Sequence, residues 1–415
     1  MFRKKEYILK VLIVTQYFWP ETFRINEVVG SLAEKVESLT VLTGQPNYPN
    51  GKTFPGYKAY QSQKEYRKNF KIQRVPIITR GSKNPIRLCL NYLSYIVSAS
   101  IMGFYKLRKD HYDIIFCYGT SPILQVIPGL IMRRYFGSKV VIYVQDLWPE
   151  SIAATGYIKN KMFLNMVRSI VKLIYNASDL ILISSKSFKK PIQNITSRTP
   201  IEYFPNSVDM AELTRPTDMK VDLSILKNNF SVVFTGNIGY AQSTETILKA
   251  AEAIRHIKDI IIVMIGEGSC LDSMKLKTKE KNLRNIHFMG QLDIEMMPKV
   301  YEASNVLLAT LADEEIYNYT VPQKIITYLA SGRPIVAAMN GETASIIRES
   351  KAGLCTKAED WEGLADNIRQ LYECSVDARD EMGKQGSAYF LSRFEHSKLI
   401  LQLIGKFEKL IGVTK

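Results

Sequence analysis

Short, largely apolar runs recur along the chain with a turn and a helix-length segment between them, and this alternation restricts the fold more than any other feature. In the first half they cover 8–16 (ILKVLIVTQ), 39–43, 70–75, 113–118, 139–145 and 179–184; in the second they cover 231–235, 260–266, 285–290, 306–310 and 334–338. Strands buried on both faces of a sheet read as continuous apolar runs, and helices between them imply parallel pairing through crossovers. A chain of 415 residues, 46% of them hydrophobic, holds two packed domains of about 200 residues each. The expected class is α/β, with two doubly wound, Rossmann-like domains.

In such sheets ligands collect at the carboxyl ends of the strands. The segment 313–338, DEEIYNYTVPQKIITYLASGRPIVAA, reads as an acidic loop, a helix opened by Pro322 and carrying Lys324, a stop at Ser331-Gly332, and a buried strand. A helix start offers unpaired N–H groups to an anion, and Lys324 adds a full charge. The same residues also suit an ordinary loop, helix and strand with a surface lysine. Gly236 and Gly239, in GNIG after the strand 231–235, let a phosphate approach the backbone closely. In the first half, Asp146 ends the strand 139–145, where it is placed either for chemistry or, like Ser151, to cap the next helix. Glu21 and Arg24 stand in the loop and helix start YFWPETFR, where charge at an exposed helix start accounts for them equally well. Tyr48 lies in turn chemistry, QPNYPNGK.

Taken in order, PNYPNGK at 46–52, QDLWPES at 145–151, PNSVD at 205–209, GNIG at 236–239, IGEG at 265–268 and YLASGRPIVA at 328–337 resemble the retaining family 4 glycosyltransferases of the GT-B fold, specifically the WbuB-like subgroup. The resemblance covers essentially the whole chain. It implies an acceptor-side domain over 1–209, a nucleotide-sugar-binding domain over 223–392 facing it across a cleft, and a helix over 393–415 that crosses back to the first domain. It implies transfer of a hexose, including N-acetylated amino or deoxy forms, from a nucleoside diphosphate sugar, with UDP the expected nucleotide. The acceptor it implies is a lipid-linked saccharide, in surface polysaccharide, capsule or O-antigen assembly. Neither a metal nor a cofactor is expected.

On this resemblance the donor residues are Gly236, Asn237, Gly239, Gly266, Glu267, Pro322, Lys324, Gly341, Glu342 and Thr343. The acceptor-side residues are Glu21, Arg24, Asn26, Tyr48, Trp148 and Glu150. Lys324 and Asp146 are the expected catalytic residues, Asp146 serving the acceptor or orienting the donor sugar. The chain departs from the family's pattern in three places. Gln145 stands where many members have a histidine, Asn237 and Gln242 where an arginine and a lysine are common, and Tyr319 and Thr327 where an acidic pair grips the ribose. Glu314, Glu315 and Glu342 are the carboxylates available instead.

Charge is uneven. Residues 1–205 hold 30 Lys and Arg against 12 Asp and Glu, and the remainder 25 against 28, so +18 stands against −3. The usual acidic partners are nucleic acid and an anionic membrane surface. No nucleic-acid module or aromatic-basic platform is present, which disfavours a nucleic-acid-binding protein; no GxGxxG opens the chain, which disfavours a dehydrogenase or epimerase. Residues 88–105 carry no charge and are flanked by Lys83, Arg87, Lys106, Arg108 and Lys109. Their helical spacing and interspersed serines suit an amphipathic helix, either in the core or in a membrane interface. A second helix expected over 157–176 carries Lys159, Lys161, Arg168 and Lys172. Five scattered cysteines and four histidines at no metal-ligand spacing fit a reduced, metal-free protein. Arg3, Lys4 and Lys5 precede an apolar run too short for a signal peptide. The expected location is cytoplasmic, peripheral on the inner face of the cytoplasmic membrane.

Overall fold

The computed structural model describes residues 9–81, 84–154, 160–215, 218 and 221–413. The chain forms two compact units, Met1–Phe204 with Leu399–Lys415, and Pro205–Lys398.

In the first unit, strands β1 (Lys10–Val14), β2 (Ser38–Gly44), β3 (Gln63–Arg67), β4 (Phe70–Val75), β5 (Ile114–Gly119), β6 (Lys139–Val144), β7 (Leu180–Ile183) and β8 (Ile201–Tyr203) make one sheet in the order β3-β4-β2-β1-β5-β6-β7-β8. All pairs are parallel except β3 with β4. β1, β5 and β6 are almost wholly buried runs of Val, Ile, Leu and aromatic residues, as strands covered on both faces must be. The antiparallel β3, QKEYR, was not expected. Its alternating half-buried and exposed residues suit a sheet edge, where charged side chains discourage further pairing. β8 was likewise missed; three half-buried residues give no apolar run to find.

In the second unit, β9 (Phe230–Thr235), β10 (Ile260–Ile265), β11 (Ile286–Gly290), β12 (Val306–Thr310), β13 (Ile335–Ala338) and β14 (Gly353–Thr356) form an all-parallel sheet in the order β11-β10-β9-β12-β13-β14. This is the doubly wound Rossmann order, and its switch point lies between β9 and β12. Apolar clusters fill both faces, one with Ile325, Tyr328 and Leu329, the other with Ile247, Ile254 and Ile368.

The helices begin and end on recognisable chemistry. Asn160 accepts from the N–H groups of Met162 and Phe163 to start Lys161–Asn176, and Gly137, at φ +69°, ends Ile127–Phe136. Of the helix expected over 157–176, residues 157–159 lie outside the described residues, as do Arg3, Lys4, Lys5 and Lys83. The segment 210–222, between the two expected domains, contains the helix Met210–Thr214, and Val208 before it bridges to Glu395 within the second unit. The last helix starts at His396 instead of Arg393, because the Glu395 carboxylate accepts from the N–H groups of Ser397 and Lys398. From Leu399 it joins the first unit, where Leu399, Ile400, Leu403 and Phe407 enter the core.

Candidate active site

At the carboxyl ends of β9 and β10 two glycine turns are clasped together. Gly236 (φ +113°) and Gly266 (φ +138°) sit so close that a Cβ on Gly266 would stand 1.9 Å from the Gly236 carbonyl oxygen. A Cβ on Gly268 would stand 2.3 Å from the Ile238 oxygen. The Ile238 N–H donates to the Glu267 carbonyl at 2.7 Å, and the Cys270 N–H to the Ile238 carbonyl at 3.0 Å. Only glycine takes these angles without strain, so the residues that permit close approach of a ligand also lock one turn to the other. Gln242 holds the turn from within, its Oε1 accepting from the Gly239 N–H at 3.2 Å and from Asn237 Nδ2 at 3.3 Å. The polar residues that replace the family's common cations here therefore shape the turn. Glu267 is exposed beside it.

Lys324 belongs to the same place. It lies in the first turn of the helix Gln323–Ser331, whose preceding residue, Pro322, provides no side-chain cap. Its Nζ is 3.7 Å from the centre of the Phe234 ring and 3.7 Å from where a Cβ on Gly236 would stand. The residue as a whole is half-buried, yet Nζ itself has almost no contact with solvent and no hydrogen-bond partner among the described residues. Burial lowers its pKa to about 7. An ammonium group in such a position gains sharply from any anion brought to the turn, since the cost of removing it from water has already been met by the fold.

The other expected donor residues divide. Gly341 (φ +68°) opens the helix Gly341–Ser350, with its Cα packed against the Asn318 carbonyl, and no side chain caps that helix either. Glu342 is half-buried in the first turn. Thr343 is fully buried and its hydroxyl donates to the Thr320 carbonyl at 2.9 Å, so it shapes the loop before the Lys324 helix and does not present a donor surface. At the positions of the acidic pair, Tyr319 donates to Glu315 at 2.7 Å and Thr327 donates to the Gln323 carbonyl at 3.3 Å.

In the first unit, Asp146 follows β6 and its Oδ2 accepts from both the N–H and the hydroxyl of Ser121, at 3.0 and 2.9 Å. Burial raises its pKa, against the lowering effect of those two bonds. Trp148 joins them, its Nε1 donating to Ser121 Oγ at 3.1 Å. Glu150 is paired with Arg168 at 3.0 Å and ties one helix to the next. Tyr48, 38% exposed, packs on Tyr17 and Phe23 with the Arg80 guanidinium 4.8 Å from its ring centre.

Two of the expected acceptor-side residues clamp the backbone, Glu21 from the interior and Asn26 from a half-buried position. Glu21 is 2% exposed and accepts from the backbone N–H groups of Phe18, Asn47 and Tyr48. The Asn26 side chain accepts from the Trp19 N–H and donates to the Glu21 carbonyl, while Arg24 pairs with Glu27 at 2.9 Å. Buried Arg74, which the sequence did not single out, binds the Trp19 and Gly44 carbonyls and Glu65. Ser121 was missed as well, since a turn residue shows no signal until its partner from another segment, here Asp146, is known.

Glu21 makes a testable claim. Burial raises its pKa to about 7 from 4.5, so protonation favours the fold; that contribution is complete below about 4.5 and is lost as pH rises through about 7. Glu21→Gln is expected to remove this slope. It is also expected to cost about 1–3 kcal/mol, because the amide NH₂ faces a backbone N–H. Guanidinium unfolding at a series of pH values measures both, and an unchanged slope would show that Glu21 is not the titrating group.

Residues 229–374 match the family described as Glycosyl transferases group 1. The chain is 22% identical over 379 residues to WcaI of Escherichia coli K12, named as a candidate colanic acid biosynthesis glycosyl transferase, covering 87% of this chain and 92% of that one. It is 24% identical over 196 residues to the Campylobacter jejuni N-acetylgalactosamine-N,N'-diacetylbacillosaminyl-diphospho-undecaprenol 4-alpha-N-acetylgalactosaminyltransferase, covering 44% of this chain and 51% of that one. Among solved structures, sucrose-phosphate synthase from Thermosynechococcus elongatus superposes with a TM-score of 0.76 at 15% identity, over 97% of this chain and 99% of that one. HepE of Anabaena, in complex with UDP, gives 0.68 at 13%, over 97% and 100%. The fold is GT-B, as the resemblance implied, and the chain is a glycosyltransferase.

Proposed function

We propose that this glycosyltransferase acts as a retaining family 4 enzyme of the WbuB-like kind, moving a hexose or N-acetylated or deoxy hexose from a UDP-linked donor to a lipid-linked saccharide. The setting we propose is assembly of a surface polysaccharide or O-antigen, at the inner face of the cytoplasmic membrane. One observation carries the reading: a buried amine with no hydrogen-bond partner among the described residues, Lys324 Nζ, stands at two clasped glycine turns beside an uncapped helix start. When the bond from the anomeric carbon to the diphosphate breaks, negative charge grows on the leaving phosphate. The start of the helix Gln323–Ser331, which no side chain caps, and Lys324 are proposed to receive that charge and so lower the barrier, while the clasped glycine turns let the diphosphate approach closely. Asp146, held by Ser121, is proposed to orient the reacting sugar or its acceptor. No metal enters this scheme.

The nucleotide is supported by the UDP held in the Anabaena structure, and the acceptor class by the diphospho-undecaprenol substrate in the name of the Campylobacter relative. The +18 first half suits a diphosphate-bearing acceptor at an anionic surface. A thermal-shift screen against nucleoside diphosphates and their sugars tests the donor: UDP and one UDP-sugar are expected to raise the melting temperature, since a ligand of the native state stabilises it by mass action. No shift with any nucleotide would overturn the assignment.

A further inference from the structure

The geometry points to an in-plane membrane anchor. We propose that the outward face of the helix Pro85–Leu107, with the adjoining face of the helix Ile127–Phe136, lies flat in the interface of an anionic bilayer leaflet. The lipid-linked acceptor proposed above is what gives such an anchor its use.

The helix is the one described element long and apolar enough to cross a membrane: it has 23 residues, and its most apolar 18-residue window has a mean hydropathy of 1.3 with only 22% of it buried. Its contacts rule out crossing. Asn91 accepts from Gln16 Nε2 at 2.8 Å and donates to the Ile78 carbonyl at 2.6 Å. Tyr95 donates to the Leu42 carbonyl at 3.2 Å, and Gly103 lies against the Leu42 side chain. Along most of its length, then, the inward face is fastened to the sheet, and that face carries the polar groups.

The outward face is the apolar one. Ile86, Leu90, Leu93, Val97, Ile101 and Tyr105 recur at helical spacing, each between 44 and 74% exposed, and make a stripe about 28 Å long. Beside it, Ile131 and Tyr135 are exposed on the neighbouring helix, joined through the contact of Phe104 with Tyr135. A groove of about 500 Å³ between Ile77, Ile78, Val97 and Ile101 has room for a hydrocarbon segment. Patches of this extent on a soluble protein mark a surface that something covers.

Charge identifies the cover. Residues 75–109 hold six Lys and Arg and not one Asp or Glu. Arg87, Lys106, Arg108 and Lys109 stand at the two ends of the stripe, where basic side chains meet lipid headgroups. A second copy of the chain would set this basic belt against itself, whereas an anionic leaflet satisfies the belt and the stripe together.

Flotation of the purified full chain tests this, using vesicles of phosphatidylcholine alone and of phosphatidylcholine with phosphatidylglycerol at low salt. The protein is expected to float with the anionic vesicles. Leu93→Asp, Val97→Asp and Ile101→Asp together are expected to lower recovery at least about tenfold, and Lys106→Glu with Lys109→Glu to abolish the preference for anionic vesicles. In a Val97→Trp protein, brominated lipid is expected to quench the new indole, a readout that does not depend on the triple variant folding. Undiminished flotation of a folded triple variant, an indole left unquenched in the Val97→Trp protein, or a parent that sediments as a dimer dissolved by the triple variant would each overturn the proposal. Transfer to a lipid-linked acceptor dispersed in detergent separates the two readings. If the triple variant keeps it while losing flotation, the anchor and the acceptor both stand; if even the parent lacks it, the acceptor class is wrong and flotation alone decides the anchor.

Discussion

Lys324→Ala lowers kcat by about 10²–10³-fold while the protein keeps its melting temperature or gains on it. The rate estimate is that of removing one preorganised donor from a developing oxyanion, about 3–4 kcal/mol. Stability holds because the amine makes no hydrogen bond among the described residues, and its removal relieves a buried charge. Its pKa of about 7, depressed from 10.5 by burial, adds a second signature. Between those two values the folded protein binds fewer protons than the unfolded chain, so the burial penalty is complete below about 7 and fades as pH rises toward 10.5. Binding a diphosphate restores the charge. Donor binding at pH 8 is therefore expected to take up protons, and affinity to weaken as pH climbs above about 7. Calorimetry with UDP in buffers of different ionisation heat reads the uptake, and Lys324→Met should abolish it. Near-normal turnover in Lys324→Ala would remove the amine from the mechanism; proton uptake that survives Lys324→Met would assign the titration elsewhere.

Gly266→Ala costs at least about 3 kcal/mol and weakens UDP binding with it. Two penalties combine: a φ of +138° that a residue with a Cβ adopts at a cost of about 1–3 kcal/mol, and overlap with the Gly236 carbonyl, which as backbone has little room to yield. Relief comes only by pushing the two turns apart, and the ligand surface is made of those turns. Gly290→Ala provides the contrast. It too has positive φ, +73°, but nothing lies within 4 Å of where its Cβ would stand, so about 1 kcal/mol is expected and UDP binding is unchanged. Thermal melts and UDP titrations of the two variants decide the matter. Equal melting temperatures would mean that the clasp of the two turns carries no stability.

How much could be read in advance differs between fold and site. β1, β5, β6, β9, β10 and β12 announced themselves because a strand covered on both faces must be apolar at every position. β3 and β8 did not, since a sheet edge and a three-residue strand place no such demand on their residues. At the site, Lys324 and the glycines 236, 266 and 341 were visible, because positive φ and a helix start leave local marks in sequence. The role of Gln242 was not. Neither was the difference between Tyr48, which reaches solvent, and Glu21, which does not.

The chain's own order of residues was enough to determine two parallel α/β sheets and the loops that gather at their carboxyl ends, because periodicity and turn chemistry act over a few neighbouring positions. Tertiary structure alone decided which polar side chains are spent inside the protein. Glu21 and Thr343 find backbone partners in other segments, while Lys324 is left with an amine and nothing to bind among the described residues. It also decided that Asn91 faces inward and Leu93 outward on one helix. Satisfying a buried polar group depends on which donors and acceptors the fold brings within about 3 Å of it, and those come from positions far away along the chain.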